Sequence, residues 1–287
     1  MLAILFGLFA ALCWSVHDLL ASRYAKDVGP VRMAINSMLA GAIILVGIVL
    51  WNGTLFQAAF PQIVGALFLG LIYGVAVASL FKAFSMAPVS IVGPFTAGYP
   101  ALVVGWGMLN GLQPSWFQGV AIIIVLLGAY VVGRMGPPDG GLANVAKGQL
   151  LPLFFFCVLA SICFASSVII GQKLAFSIGE FETTFLTRIP AALILLPFAA
   201  RETSLQSSIS RNAGLAIFAM GAFDVAAVSS VNYMGFLPHK EFGSMGISAY
   251  GAIATLLAMI FLKEKTTLWQ WAGIAMICIG VAVLGSG

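Results

Sequence analysis

Charged residues are scarce in this chain. Only 8% of its 287 residues are Asp, Glu, Lys or Arg, against roughly 25% in ordinary soluble domains, while 61% are hydrophobic. So few charges cannot cover the surface of a water-soluble fold. The four cysteines, Cys13, Cys157, Cys163 and Cys278, form neither a CxxC pair nor a Cys/His set, so they are predicted to be packing residues, and no metal site is expected.

Basic residues are too dispersed to form a patch. The thirteen Lys and Arg residues stand singly near the ends of apolar runs, which excludes nucleic acid as a partner. No Ser/His/Asp set, HExxH motif or phosphate-binding glycine loop is present, so neither an enzyme nor a cofactor is expected.

What the chain has instead is long apolar runs. A helix needs ~20 apolar residues to cross a hydrocarbon core of about 30 Å, and unpaired backbone groups are costly in lipid. The runs are therefore predicted to be transmembrane helices of an all-α integral membrane protein. The first run lacks a basic segment and a cleavage site, so it is interpreted as a retained helix. The ten predicted spans cover about 2–24, 31–51, 61–86, 88–109, 115–134, 149–175, 182–200, 211–235, 241–262 and 267–285.

The longest polar connection divides these spans into two sets of five. It is the Gly- and Pro-containing segment 134–147. The predicted organisation is a first repeat over 1–134, a connecting loop over 135–148 and a second repeat over 149–287. Because each half has an odd number of spans, the two halves enter the membrane from opposite sides. Such inverted repeats, with a site between them, are the architecture of secondary transporters.

Residue types recur at similar positions in the two halves. In the third and eighth spans, small residues recur at every fourth position, a spacing that lets helix backbones approach each other in lipid. The predicted equivalences are Trp14 and Arg23 with Phe164 and Lys173, Arg32 and Met33 with Arg188 and Ile189, and Gly70, Gly74 and Ala78 with Ala222, Ala226 and Ser230.

These features resemble a known family over essentially the whole chain. Each half has an aromatic residue late in its first span and an Arg opening its second, and a turn FLKEKT (261–266) precedes a helix with Trp269, Gly273 and Gly280. This order resembles the EamA-type branch of the drug/metabolite transporter superfamily. The sequence departs from the family pattern at Asn110-Gly111, where the family has Gly-Glu.

The resemblance implies a transporter that exports small metabolites by alternating access between two inverted halves. The cavity is then expected between predicted spans 1, 3, 4, 6, 8 and 9, with spans 5 and 10 as scaffold or as a dimer face. The expected state is a monomer or a homodimer in membrane lipid. Residues that look most like those of broad amino-acid exporters, and so imply an amino-acid substrate, are Cys13-Trp14-Ser15, Tyr99-Pro100 and Asn232.

Asp224 is the acidic residue that most needs an explanation. It lies about thirteen residues into the eighth span, near the bilayer midplane, where a charge costs at least ~2.5 kcal/mol on insertion scales. In one interpretation it binds a substrate ammonium or couples a proton. In the other it is a structural carboxyl bonded to a neighbouring helix. Asn232, eight residues later, is expected near the same face.

Two other charged positions have alternative interpretations. His17 and Asp18, in the last third of the first span, suit hydrogen bonding to an amino acid or proton handling, or else they face headgroups or bond to Arg23 or Arg32. Lys82, late in the third span, either meets a substrate carboxylate or extends to the interface.

The remaining candidate residues are polar, aromatic or helix-kinking. Trp14, Tyr99 and Phe164 are predicted to form the aromatic wall of the cavity, and prolines and glycines of the fourth span are predicted to kink it as a gate. The substrate-binding serines are expected to be Ser167, Ser244 and Ser248, and the gating residues Pro94, Gly98 and Pro100.

Two other functions were weighed against amino-acid export. A drug or nucleoside exporter has the same architecture with a bulkier ligand. An integral membrane enzyme acting on a lipid-linked substrate needs an interfacial polar cluster, for which His239-Lys240-Glu241 is the nearest candidate. A channel is disfavoured because the sequence has no ring of charge.

Basic residues also predict the orientation in a bacterial inner membrane. Ten of the thirteen lie at connections after odd-numbered spans, and three, Lys173, Arg188 and Lys240, lie on the opposite side. By the positive-inside rule the ten-charge side is cytoplasmic, which puts both termini in the periplasm, although members of the superfamily commonly have cytoplasmic termini.

Overall fold

The computed structural model of the chain describes residues 1–54, 57–86, 92, 96, 98–134, 147–202, 209–263 and 266–286. Over these residues the fold is all-helical and contains no strand. A 3-10 turn precedes α6, another follows α8, and a π turn, Ala258–Leu262, follows α10. The helices are α1 (Leu2–Val28), α2 (Pro30–Asn52), α3 (Phe60–Phe84), α4 (Tyr99–Leu109), α5 (Trp116–Arg134), α6 (Leu150–Ile178), α7 (Glu180–Ala199), α8 (Arg211–Tyr233), α9 (Lys240–Ile247), α10 (Tyr250–Leu257) and α11 (Leu268–Ser286).

Local sequence explains several helix starts and ends. Pro30 and Pro61 stand in the first turns of α2 and α3, where a missing N–H costs nothing. Ser210 caps α8, because its hydroxyl accepts the N–H of Ala213 at 3.2 Å. Gly53 ends α2 with a left-handed φ of +67°, which allows backbone N–H groups to bond back to the last turn.

The fold is that of a multi-pass membrane protein. Among the described residues, eight segments are long and apolar enough to cross a membrane: α1, α2, α3, α6, α7, α8, the segment from α9 to the π turn, and α11. Two shorter apolar helices are α4 and most of α5. Apart from the fourth and ninth spans, the observed helices begin and end within a few residues of the predicted bounds.

One predicted span differs from the observed helices. Of the span predicted over 88–109, most of 88–97 lies outside the described residues, and the described helix α4 covers Tyr99–Leu109. The span predicted over 241–262 is divided into α9 and α10 by a turn at Ser248 and Ala249, whose N–H groups bond three residues back instead of four. The membrane span predicted over 241–262 therefore agrees with the observed segment Lys240–Phe261, but its helix is interrupted at this turn.

Glycine allows α3 and α8 to approach other helices closely. A Cβ on Gly74 would lie 2.9 Å from the carbonyl oxygen of Ala191 in α7, and one on Gly221 would lie 2.7 Å from the backbone nitrogen of Gly41 in α2. These are the backbone contacts that small residues permit in lipid. The predicted small-residue row of α8 starts one residue too late, because Ala222 is exposed and Gly221 makes the contact.

Helices α5 and α11 pack against each other and run antiparallel. Gly128, late in α5, faces Gly273, early in α11, and Ala121 faces Gly280. A Cβ on either Gly128 or Gly273 would lie 2.8 Å from the carbonyl oxygen of the other. This interface continues into a buried apolar core shared with α9 and α10.

Helices α2 and α7 are also antiparallel neighbours, and polar contacts join both of their ends. At one end the Glu202 carboxylate accepts the first N–H groups of α2 at 2.8 and 3.1 Å, while the Arg32 guanidinium donates to the carbonyls of Ala199 and Glu202 at 3.3 and 3.0 Å. At the other end the Thr54 hydroxyl donates to Glu182. Below, these are called the Glu202 end and the Glu182 end.

The helix starts correct one predicted equivalence. Helix α2 begins at Pro30 and α7 at Glu180, so Arg32 is the third residue of its helix and Arg188 is the ninth. Arg32 bonds at a helix end, whereas Arg188 is buried in the middle of α7. The predicted equivalence of Arg32 and Arg188 is therefore wrong.

Candidate site in the middle of the bundle

An ion pair lies in the middle of the helix bundle. Nη1 of Arg188 is 2.6 Å from Oδ2 of Asp224, and the two side chains are only 1% and 9% exposed. Arg188 stands near the middle of α7, and Asp224 near the middle of α8. Because a lone charge at the bilayer centre costs ~2.5–3.5 kcal/mol or more, each residue makes the other tolerable.

Trp14 joins this ion pair from a third helix. Its indole Nε1 donates to Oδ1 of Asp224 at 3.1 Å. Trp14 lies near the middle of α1 and is half-buried. The two carboxylate oxygens of Asp224 therefore have different donors, Trp14 and Arg188, which hold the carboxylate in one orientation.

Three further aromatic side chains lie beside the pair. The ring of Phe164, the central residue of α6, is 6.1 Å from the ring of Tyr73 in α3 and 5.8 Å from that of Tyr99 at the start of α4. Tyr73 also interacts electrostatically with both members of the ion pair, and its hydroxyl interacts directly with the Arg188 guanidinium. All three rings are half-buried. We call Trp14, Tyr73, Tyr99, Phe164, Arg188 and Asp224 the central cluster.

A second polar group surrounds Asp18, one turn after Trp14 on α1. His17 Nδ1 lies 2.7 Å from one oxygen of the Asp18 carboxylate, and the Tyr250 hydroxyl donates to the other. The Asp18 side chain is 50% exposed. His17 also interacts electrostatically with Asp224 and Arg188 of the central cluster. Of the alternatives weighed for His17 and Asp18, the structure shows a bond to Tyr250 in place of one to Arg23 or Arg32.

Asn232 belongs to a different set of contacts. Its Nδ2 donates to the Thr184 hydroxyl oxygen at 3.0 Å, and the Ser229 hydroxyl donates to the same oxygen at 3.2 Å. All three side chains are buried. They join α7 to α8 two turns away from Asp224, so Asn232 stands outside the central cluster.

The other predicted binding residues are spread over the bundle. The Ser167 hydroxyl bonds to a carbonyl of its own helix at 2.8 Å, and Ser244 is bonded to the carbonyl of Pro100 at 3.4 Å. Among the described side chains, the buried Ser248 hydroxyl has no hydrogen-bond partner. Lys82 is exposed in the last turn of α3, so the structure does not bring it to the central cluster.

The predicted gating residues surround the start of α4. Gly98 precedes the helix with an ordinary φ of −76°, and Pro100 is buried in its first turn, where it needs no N–H. Pro94 lies outside the described residues. Gating by this segment stays a prediction.

Sequence reasoning missed three residues of these clusters. Arg188 stood well inside a predicted span, and a basic residue so deep in an apolar run deserves the same weight as an acidic one. The count of basic residues instead assigns Arg188 to a connection. Tyr73 and Tyr250 had no such signal, because tyrosines are common in membrane helices.

The chemistry available to the central cluster is recognition of a small polar molecule. Within the part of the chain that the structure describes, no three His, Cys, Asp or Glu side chains come together as a metal site. The cluster offers one cation, one anion and several aromatic faces in a region that the helices enclose.

Comparison with known proteins identifies similar chains. Residues 1–134 and 151–286 match the model of the EamA-like transporter family. A protein of Archaeoglobus fulgidus, described as an uncharacterized transporter, is 24% identical over an alignment 298 residues long, which covers 99% of this chain and 98% of that protein. A protein of known crystal structure is 20% identical and superposes with a TM-score of 0.82 over 98% of this chain and 95% of its own. At that identity the likeness shows the fold alone.

Proposed function

The chain belongs to the EamA-like transporter family, and on that premise we propose that this membrane transporter exports amino acids or related small metabolites by alternating access. The observation that carries the proposal is the central cluster. It presents a cation, Arg188, and an anion, Asp224, at the middle of the bundle beside aromatic side chains. An amino acid has a carboxylate and an ammonium group attached to the same carbon. A guanidinium binds the carboxylate and aromatic faces suit the ammonium group, so an amino acid matches such a site better than a purely apolar compound does.

The proposal includes ten spans arranged as two inverted halves, 1–134 and 149–287. Eight candidate spans and two shorter apolar helices support the number. The antiparallel pairs α2–α7 and α5–α11 support the inversion, because a helix and its equivalent in an inverted repeat run in opposite directions. The two segments that match the family model agree with these halves.

Equivalent packing contacts give further support. Thr187 follows Ser37 by 150 residues, and Gly221 follows Gly70 by 151. If the halves are equivalent, each contact of α3 on α7 has a counterpart of α8 on α2. The contacts that correspond are those of Gly70 and Gly74 with Thr187 and Ala191, and those of Gly221 and Val225 with Ser37 and Gly41.

The proposed orientation in a bacterial cytoplasmic membrane rests on the basic residues. Because Arg188 is paired inside the bundle, it no longer counts as a residue of a connection. Lys173 and Lys240 then remain on the less basic side, so the ten-charge side is favoured more strongly as cytoplasmic. Both termini are proposed to be periplasmic, and the predicted monomer or homodimer stays a prediction.

A second candidate is export of drugs or nucleosides. Three aromatic rings, those of Tyr73, Tyr99 and Phe164, lie together and could stack on a flat ring. This candidate makes no use of the ion pair as a binding site, and the same assay separates it from amino-acid export.

Transport by purified protein in liposomes tests the proposal. Labelled phenylalanine, tryptophan, threonine and glutamate are loaded, and their release is measured with and without a pH gradient, against protein-free liposomes. We expect release of at least one of them, competed by the unlabelled compound. The proposal fails if none of these amino acids is released while a nucleoside or a drug is released. Release at the same rate with and without the pH gradient indicates facilitated exchange.

A further inference from the structure

The guanidinium of Arg188 has more donors than the protein uses. Nη1 faces Asp224 at 2.6 Å, but Nε and Nη2 are buried without a hydrogen-bond partner among the described residues. The residue as a whole is 1% exposed. Arginine has five N–H groups, so Nε and Nη2 are charged donors that no hydrogen bond from the described residues satisfies. The Tyr73 hydroxyl also interacts with the guanidinium, but it forms no hydrogen bond of ordinary geometry with either atom.

The two unused nitrogens form one edge of the planar group. Nε–H and one N–H of Nη2 point in the same direction, with the spacing that suits the two oxygens of a carboxylate. Asp224 occupies a different nitrogen, so it leaves this edge free. A buried charged donor without a partner is costly, and its retention indicates a ligand that satisfies it.

We infer that the Nε–Nη2 edge of Arg188 binds the carboxylate of the transported molecule. This rests on the proposed function and names the group that the site recognises. Asp224 and Trp14 then act as positioning residues. Asp224 holds the guanidinium through Nη1, and Trp14 holds Asp224 through its indole N–H. The carboxylate of Asp224 is not the partner of the substrate ammonium in this arrangement.

Charge balance favours a zwitterion over a simple anion. Arg188 and Asp224 cancel each other, so a bound carboxylate adds one negative charge to a region of low dielectric constant. A molecule that carries its own ammonium cancels that charge. The half-buried aromatic faces of Trp14, Tyr73 and Phe164 are suitable neighbours for an ammonium group.

Two analogues of phenylalanine test the inference on the unaltered protein. 3-Phenylpropionate keeps the carboxylate and lacks the ammonium, whereas phenylethylamine keeps the ammonium and lacks the carboxylate, and neither is larger than phenylalanine. Each is added as a competitor of labelled phenylalanine in proteoliposomes and as a ligand in thermal unfolding in detergent. We expect phenylethylamine to compete about 10- to 100-fold more weakly than phenylalanine, because one charge-assisted hydrogen bond contributes a factor of this size to affinity. 3-Phenylpropionate keeps the carboxylate, so its affinity is expected to fall by a smaller factor.

The variant that isolates the free edge is Arg188→Lys. Lysine keeps the charge opposite Asp224 but lacks the planar pair of donors, so KM is expected to rise about 10- to 100-fold and the thermal shift by 3-phenylpropionate to disappear. Arg211→Lys, at the exposed start of α8, is the matched control. It is expected to keep the KM of the unaltered protein and the thermal shift by 3-phenylpropionate.

The results separate this inference from the proposed function. If the unaltered protein moves no amino acid, the proposed function fails, and the thermal shift with 3-phenylpropionate still decides whether the edge binds a carboxylate. The inference is overturned if phenylethylamine competes as well as phenylalanine, if 3-phenylpropionate does not shift the unfolding midpoint, or if Arg188→Lys keeps the KM of the unaltered protein. Should Arg188→Lys fail to fold, the analogue series decides alone.

Discussion

Gly29 and Gly179 are each the single residue that joins a long helix to the next, and their φ angles are nearly equal, +93° and +91°. Beside each glycine, a carboxylate oxygen lies where a Cβ would need space: that of Glu202 beside Gly29, and that of Glu182 beside Gly179. Their backbone angles lie where residues with a Cβ are strongly disfavoured. The two tight connections set how α1 lies against α2 and how α6 lies against α7.

Alanine at either glycine is expected to destabilise the protein by about 2–4 kcal/mol, from backbone strain together with contact of the new Cβ with the glutamate. The measurement is the midpoint of thermal unfolding in detergent. Gly53→Ala, at φ +67° with nothing within 4 Å, isolates the backbone strain alone and should cost about 1 kcal/mol. Gly105→Ala, in open space within α4, should cost nothing. Equal midpoints for Gly29→Ala, Gly179→Ala and Gly53→Ala would contradict the argument.

Replacing Arg188 and Asp224 is expected to change the free energy of unfolding non-additively. Arg188→Met or Asp224→Leu alone leaves a buried charge and should cost about 3–5 kcal/mol, whereas the two changes together remove both charges and should recover most of the loss. The recovered double variant should not transport, because the charges are gone. Unfolding midpoints and proteoliposome transport are measured, with the exposed Arg211→Met as the control. Additive losses in the double variant would mean that the pair contributes nothing as a pair.

Substitutions at the two ends of the α2–α7 contact are expected to favour conformations that open at opposite ends. Glu202→Gln weakens a charge-assisted cap by about 0.5–2 kcal/mol and should favour a conformation that is open at the Glu202 end. Glu182→Gln should favour opening at the Glu182 end. The reporter is Ser167→Cys, labelled by a membrane-impermeant thiol reagent from either side in a background that lacks the four native cysteines. If both variants are labelled faster from the same side, the contacts at the Glu202 end and the Glu182 end do not control opening at opposite sides.

The stability of the protein is expected to be sensitive to one added methyl group at the α5–α11 interface. Gly128→Ala places a Cβ 2.8 Å from the Gly273 carbonyl oxygen, so the helices must separate, and we expect a loss of about 1–3 kcal/mol. Gly119→Ala, on the same helix with nothing within 4 Å, should be neutral or slightly stabilising. The two variants are compared by thermal unfolding in detergent, and the same midpoint for both would show that the interface adapts freely.

The orientation is tested by two reporters fused to the C-terminus, one active in the periplasm and one active in the cytoplasm. The bias of basic residues predicts signal from the periplasmic reporter. Signal from the cytoplasmic reporter alone would reverse the proposed orientation and, with it, any export direction assigned to the Glu202 and Glu182 ends. A fusion after Gly111, in the turn between α4 and α5, is the control and should report from the same side as the C-terminus if ten spans are present.

For the candidate site, the sequence predicts how deep a residue lies in the membrane but not which residues it contacts. The depth of Asp224 and of Trp14 could be counted from the helix starts, because every residue adds about 1.5 Å along the axis. Their hydrogen bond to each other could not be counted, since it joins α1 to α8 across more than two hundred residues. Spacing also placed Asn232 on the face of Asp224, yet Asn232 meets Thr184 of α7 and stands apart from the central cluster.

The sequence alone determined that this protein is helical, that it crosses the membrane several times and that Asp224 lies deep within it. Lipid leaves no other choice for runs of apolar residues, because their backbone groups must be paired within the segment. Only the tertiary structure decided that Arg188 is the partner of Asp224 and that two of its nitrogens have no hydrogen-bond partner in the described part of the chain. Which helices meet, and at what rotation, follows from the packing of many small residues such as Gly74 and Gly221, and no local pattern encodes that result.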